Sequence, residues 1–168
     1  KKGSKYYDIY SFNLETDKEE RLTFDSRAYS PVFISKDSSI AFISTYDGGQ
    51  NLNLFNLKTK KSRQITKFDE RPMISHLNYD ELSHSLYFDI TFHHFREIYN
   101  YNFNDSAITT FKNNSLYDER NMALDSFSGV KIYSRDKSGI FNLYMIDEKN
   151  ESEGYISNVT GGAFMPDI

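Results

Sequence analysis

Asn51–Thr66 reads NLNLFNLKTKKSRQIT, and the same register already stands at Asp8–Thr23, DIYSFNLETDKEERLT. The two stretches align without a gap at an offset of 43 residues. Six of the sixteen positions are identical: Phe12/Phe55, Asn13/Asn56, Leu14/Leu57, Thr16/Thr59, Lys18/Lys61 and Thr23/Thr66. The unit returns as Glu97–Phe103 (EIYNYNF) and Asn142–Asp147 (NLYMID). Its anchor residues Ile9, Leu52, Ile98 and Leu143 lie 43, 46 and 45 residues apart. A period of about 45 residues marks a unit that buries its apolar face only by stacking on its neighbours, as the four-stranded blades of a β-propeller do.

The local pattern is that of strands. Ile9, Ser11 and Asn13 alternate with Tyr10, Phe12 and Leu14. Each anchor strand leads to a polar turn and then to a short strand ending in a Leu-Thr-like pair: Leu22-Thr23, Ile65-Thr66 and Ile108-Thr109. Apolar strands precede the anchors at Ile40–Ser44, Leu86–Ile90 and Val130–Ser134. Asp47-Gly48-Gly49 and Asp136-Lys137-Ser138-Gly139 join them as hairpins, where glycine supplies the positive φ. No long segment has helical periodicity, so the expectation is all-β. Phe12, Phe55, Tyr101 and Ile146 share one position in successive anchor strands and are expected to pack between blades.

Composition agrees. Thirteen tyrosines and fourteen phenylalanines in 168 residues suit half-buried pleated surfaces. The net charge of −4, with both signs interspersed and no basic stripe, argues against nucleic acid. No apolar run approaches the roughly 18 residues of a membrane helix. There is no cysteine, hence no disulfide and no thiolate chemistry. No signal peptide is visible at Lys1–Asp8, which is basic and polar.

The unit resembles the TolB-like propeller repeat, a relative of the WD-type blade. Ser30-Pro31 ahead of Ser35-Lys36-Asp37-Ser38, then Ile40-Ala41-Phe42-Ile43-Ser44, is similar to that family's turn and following strand. Ser134-Arg135-Asp136-Lys137-Ser138-Gly139 followed by Asn142-Leu143-Tyr144-Met145-Ile146-Asp147 is similar to its hairpin and anchor strand. The Asp-Gly turn is degraded to Asp37-Ser38 and to Asp80-Glu81, and Phe92-His93-His94-Phe95 lacks the hairpin glycine. The resemblance covers nearly the whole chain and is specific for fold. It implies a periplasmic or cell-envelope protein that works as an interaction partner in assemblies.

With strands lettered a to d from the propeller axis outward, the chain opens on strand c near Tyr7–Leu14 and closes on a lone strand a near Ala163–Ile168. That makes about 3.75 blades, with approximate repeat units 1–49, 50–95, 96–139 and 140–168. An open end exposes an apolar blade face and a strand edge. Three readings answer this: part of a larger ring of about six to eight blades, self-association of two copies to complete the ring, or a distorted small ring closing alone. The first is expected.

The search for chemistry yields no catalytic, cofactor or metal site. His76, His84, His93 and His94 form no His-Glu-x-x-His pattern, and adjacent His93 and His94 would point to opposite faces of a strand. There is no Gly-x-Ser-x-Gly elbow and no phosphate-binding Gly-x-x-x-x-Gly-Lys loop. Asp37, Asp47, Asp80 and Asp136 read as residues bonding their own turn backbone rather than as calcium ligands.

A rigid repeated scaffold with varied loops and no catalytic constellation reads as a non-enzymatic protein- or peptide-binding module. The expected contacts are on two loops joining an outer strand to the next inner strand: Lys67, Phe68, Asp69, Glu70 and Arg71 before Pro72, and Tyr117, Asp118, Glu119 and Arg120 at the end of Asn113–Arg120. The alternative is the gating propeller of a larger prolyl-oligopeptidase-like or tricorn-like peptidase, whose catalytic motif would lie outside these residues. A weaker third reading, sugar binding, would use Tyr46 and Phe92–Phe95 as stacking tips but lacks a carboxylate pair.

Overall fold

The computed structural model describes residues 5–34, 36, 38–112 and 116–168. Ser35 and Asp37 of the first expected turn and Asn113–Ser115 of the second expected loop lie outside the described residues. Fourteen strands are present among those described: β1 Tyr10–Asn13, β2 Lys18–Arg21, β3 Ala28–Ile34, β4 Ser39–Tyr46, β5 Gly49–Asn56, β6 Lys61–Gln64, β7 Met73–Asp80, β8 Ser85–Phe92, β9 Phe95–Asn102, β10 Ile108–Thr110, β11 Glu119–Asp125, β12 Val130–Arg135, β13 Asn142–Asp147 and β14 Ser152–Tyr155. They form a two-stranded sheet β1-β2 and three four-stranded antiparallel sheets, β3 to β6, β7 to β10 and β11 to β14, each in sequence order. The repeat thus corresponds to one meander per sheet. No helix among the described residues is long and apolar enough to cross a membrane.

The chain divides into two compact units, residues 1–73 and 74–168. In the first, Ile9 and Leu22, which flank the two-stranded sheet, pack on Ala28, Phe42 and Phe55 of the next. In the second, Tyr87 and Ile98 pack on Met122 and Tyr133. The second strand of each four-stranded meander lies inside its sheet; in β4 and β8 it reads as a near-continuous apolar run, such as Leu86–Ile90, whereas β12 (VKIYSR) alternates. Outer strands are the reverse. β2 (KEER) is mostly exposed and β6 (KSRQ) fully so, and both are charged, which protects a sheet edge from pairing with another chain.

The tight turns carry the residues their geometry demands. Asp47 (φ 47°) and Gly48 (φ 76°) both sit in the left-handed region and join β4 to β5 with Tyr46 paired to Gly49. That is the mirror-image turn that matches strand twist. At the other end of the sheets, Asn13 and Asn56 each accept two backbone N–H groups of the turn that follows, Glu15 and Thr16 in one, Lys58 and Thr59 in the other. The repeated asparagine is therefore a turn former.

Three expectations need correction. The Leu-Thr-like pair of the third repeat is Phe111-Lys112, not Ile108-Thr109. Phe111 N–H donates to Ile98 O at 2.8 Å, just as Leu22 does to Ile9, Ile65 to Leu52 and Ile156 to Leu143. The turn there is longer, and an alignment by residue type slides past it. Phe12 is 55% exposed, whereas Phe55 and Tyr101 are buried and Ile146 packs on a core cluster. The reason is that β5 is flanked by β4, but β1 pairs with β2 alone. Finally, residues 163–168 form no ladder, although Ala163 N–H bonds Phe141 O at 2.8 Å.

Candidate functional site

A repeated side-chain latch sets where the connecting loops leave the sheets. Thr23, Thr66 and Ser157 accept the anchor N–H of Ile9, Leu52 and Leu143 at 2.9, 2.9 and 2.8 Å. Each hydroxyl donates to the residue before the anchor: Asp8 at 2.9 Å, Asn51 at 3.2 Å and Asn142 at 2.9 Å. Those side chains in turn accept a backbone N–H of the departing loop, from Ser26, Phe68 and Val159 respectively. In the third repeat Glu97 and Lys112 occupy the two positions, and Lys112 instead reaches Glu153 at 2.6 Å. Thr66→Val strips Leu52 N–H of its acceptor and is expected to cost about 1–3 kcal/mol in urea unfolding, whereas a loss-free midpoint would show the latch to be dispensable.

In the first unit this latch holds Lys67–Arg71 beside the β4–β5 hairpin tip. Phe68 is half-buried, while Lys67, Asp69, Glu70 and Arg71 are exposed. The Arg71 side chain covers the glycine turn, within 3.6 Å of where a Cβ on Gly48 would stand, and its guanidinium faces Asp47 at 3.6 Å. Tyr46 at the same tip is 86% exposed. Asp47 therefore faces Arg71, and Asp136 accepts the Asp118 N–H at 2.9 Å; of the expected turn-capping acids described, Asp80 does cap its own turn, through Leu82 N–H at 3.1 Å and Ser83 Oγ at 2.8 Å.

In the second unit the segment Tyr117–Arg120 is tied to two hairpins at once. Asp118 Oδ1 accepts the Arg96 N–H at 3.2 Å, beside the β8–β9 turn. Its N–H donates to the side-chain carboxylate of Asp136, at the β12–β13 turn, and its carbonyl accepts the Asp136 N–H at 3.2 Å. The Tyr117 ring lies 5.4 Å from the Arg135 guanidinium and 5.9 Å from Lys137 Nζ. Glu119 and Arg120 are not loop residues: they open β11, paired with Arg135 and Ser134. Glu119 is 3% exposed. Burial pushes its carboxyl up to about 7 despite the Arg135 guanidinium beside it. Glu119 Oε1 and Arg135 Nε are 3.0 Å apart, yet the N–H is not directed at the oxygen, so the pair is an ion contact without a hydrogen bond. Tyr133, fully buried between these elements, also has a hydroxyl with no partner. Tyr133→Phe is expected to leave stability unchanged or raise it by about 1 kcal/mol, and a loss of that size would reveal a hidden acceptor.

One constellation escaped the sequence reading. Asp89 on β8, 1% exposed, lies 3.3 Å from His76 Nδ1 on β7 and accepts the Asn121 N–H of the neighbouring sheet at 3.1 Å through both oxygens. The Asn121 side-chain amide approaches His76 Nε2 at 2.8 Å. His76 and Asn121 both take positive φ, 50° and 58°, as do Ser30 (50°) and Met165 (53°) at the corresponding places. Ser30 and Asn121 are bulge positions, with register shifts beside them. The signal was present as a spacing of 46, 45 and 44 residues, but four different residue types occupy it. His93 and His94 form the exposed two-residue tip of the β8–β9 hairpin. Among the described residues no three His, Asp or Glu side chains converge as metal ligands.

No protein-family model matches the chain, and no curated protein matches it by sequence. Solved structures do. TolB from Acinetobacter baumannii superposes at TM-score 0.76 and 16% identity over 96% of this chain and 40% of its own. A putative TolB from Agrobacterium tumefaciens gives 0.73 and 11% over 94% and 58%. A Mycobacterium tuberculosis puromycin-hydrolyzing peptidase gives 0.66 and 11% over 89% and 25%. The chain spans about half the length of the TolB structures, between 40% and 58%. At such identities the likeness speaks for fold, and repeat, meander and superposition agree: the chain has the fold of a partial TolB-like β-propeller.

Proposed function

We propose that this chain is part of a non-enzymatic propeller of the bacterial cell envelope that binds a protein or peptide partner, with 1–49, 50–95, 96–139 and 140–168 as its approximate sequence repeats, each blade being completed across a repeat boundary. The observation that carries the reading is the closer superposition on the TolB structures, at 0.76 and 0.73, than on the peptidase, at 0.66. The loop ends support it. Lys67, Asp69, Glu70 and Arg71 present exposed charge, and Tyr117, Asp118 and Arg120 half-buried polar and aromatic surface, on backbone pinned by hydrogen bonds, which lowers the entropy lost on binding. The same resemblance supports a periplasmic location as part of this proposal.

The second reading, the propeller of a larger peptidase, is favoured by the match to the puromycin-hydrolyzing enzyme over 89% of this chain. The coding sequence on both sides of the segment separates the two. Further repeats of about 45 residues without a catalytic motif uphold the binding scaffold. A Gly-x-Ser-x-Gly elbow or a His-Glu-x-x-His helix in the same frame replaces it with the gating role.

A further inference from the structure

We propose that Arg120 is a receptor for a carboxylate group on a peptide partner, an inference that rests on the binding reading above. Of the seven arginines, four are half-buried: Arg21, Arg96, Arg120 and Arg135. Arg21 has Asp8 at 2.6 Å, Arg135 has Glu119 at 3.0 Å, and Arg96 donates to Thr91 Oγ1 at 3.2 Å. Arg120 has no acceptor among the described residues. Its guanidinium is instead held by two rings, 3.9 Å from the Phe141 centroid and 4.9 Å from that of Phe164, which themselves pack 5.0 Å apart.

Each local carboxylate is already committed. Glu119, the preceding residue, points to the opposite face of β11 against Arg135. Asp118 holds the Arg96 N–H, and Asp136 holds the Asp118 N–H. Only Nε of Arg120 is sealed from solvent without a partner, which leaves the terminal Nη edge as the reachable one. The two phenyl rings lie side by side against one side of the guanidinium, orienting it and stripping part of its hydration, so an anion meeting its free edge gains more than at a fully solvated side chain. A carboxylate fits that edge with two parallel hydrogen bonds, whereas a phosphate dianion calls for a second cation that this aromatic pair does not supply. Phe164, still 46% exposed, offers apolar surface beside the charge for the ligand's neighbouring side chain.

The test pans the full chain against random peptides displayed with a free C-terminus and, separately, with a blocked one. The recovered peptides are then measured on wild type, Arg120→Gln and Arg120→Lys. We expect recovered peptides to share a carboxylate and to bind Arg120→Gln at least about tenfold more weakly, with Arg120→Lys between. Enrichment only in the free-terminus library assigns the carboxylate to the peptide end, and enrichment in both assigns it to Asp or Glu. Peptides that carry no carboxylate, or that bind a folded Arg120→Gln as well as wild type, overturn the Arg120 assignment and leave the binding reading standing. Recovery of no peptide at all overturns both. Thermal melts of the variants guard against misfolding, and should Arg120→Gln not fold, the planar-fork loss in Arg120→Lys carries the comparison.

Discussion

Glu119→Gln is expected to remove most of a pH dependence that wild type shows between about pH 5 and 8. The carboxyl is raised from an ordinary 4.5 to about 7 by burial. A group whose pKa is higher folded than unfolded contributes stability below its unfolded pKa, and that contribution is lost as pH rises through the folded one. The window therefore runs from about 4.5 to about 7, and the loss across it is on the order of 3 kcal/mol. Glutamine keeps the shape and never ionises. The two proteins should have similar urea midpoints at pH 5, and the variant should be the more stable at pH 8. Other groups titrating in this range are common to both proteins and cancel in the difference. Parallel pH profiles would show that Glu119 is already ionised and satisfied by Arg135 in the fold.

Lys131 carries the second large effect. It is 3% exposed, with Nζ 2.6 Å from Glu148 and 3.6 Å from Asp80. Burial pushes the Asp80 carboxyl up, but hydrogen bonds from Ser126 and Ser83 and the Lys131 charge outweigh it and hold the group below its usual range. Lys131→Met removes the cation and leaves Asp80, itself 3% exposed, without its counter-charge. A loss of about 3–5 kcal/mol is expected, as for other broken buried pairs. Adding Asp80→Asn to Lys131→Met should recover a large part of it, because the uncompensated charge and not the lost contact is the main cost. Strict additivity of the two single changes, measured by equilibrium unfolding, is the result that sinks this account.

The repeat could be read without a structure because the features that make a blade are local. A strand's alternation, the asparagine that closes the turn at Asn13 and Asn56, and the glycine at Gly48 each act within a few residues. Thr23 and Thr66 were visible as repeated residues, but their role was not, since each latches an anchor 14 residues earlier in sequence and adjacent only across the strand pair. Where the local signal failed, at Ile108-Thr109 and Phe12, the cause was spacing and strand neighbours rather than residue type. The loop Lys67–Arg71 was found where expected; half of Tyr117–Arg120 proved to be strand, because Glu119 and Arg120 pair with β12.

Sequence alone determined the fold class and the four-stranded unit, since both rest on short-range backbone preferences repeated at one period. Tertiary structure alone decided the chemistry between sheets. Asp89 meets Asn121 across 32 residues, Asn78 reaches Met122 O across 44, and Lys131 meets Asp80 only because two blades stack. Those contacts fall on non-repeating residue types at repeating positions. A periodic pattern specifies that two faces will meet, while the charges, donors and rings that happen to stand on those faces decide what the meeting produces.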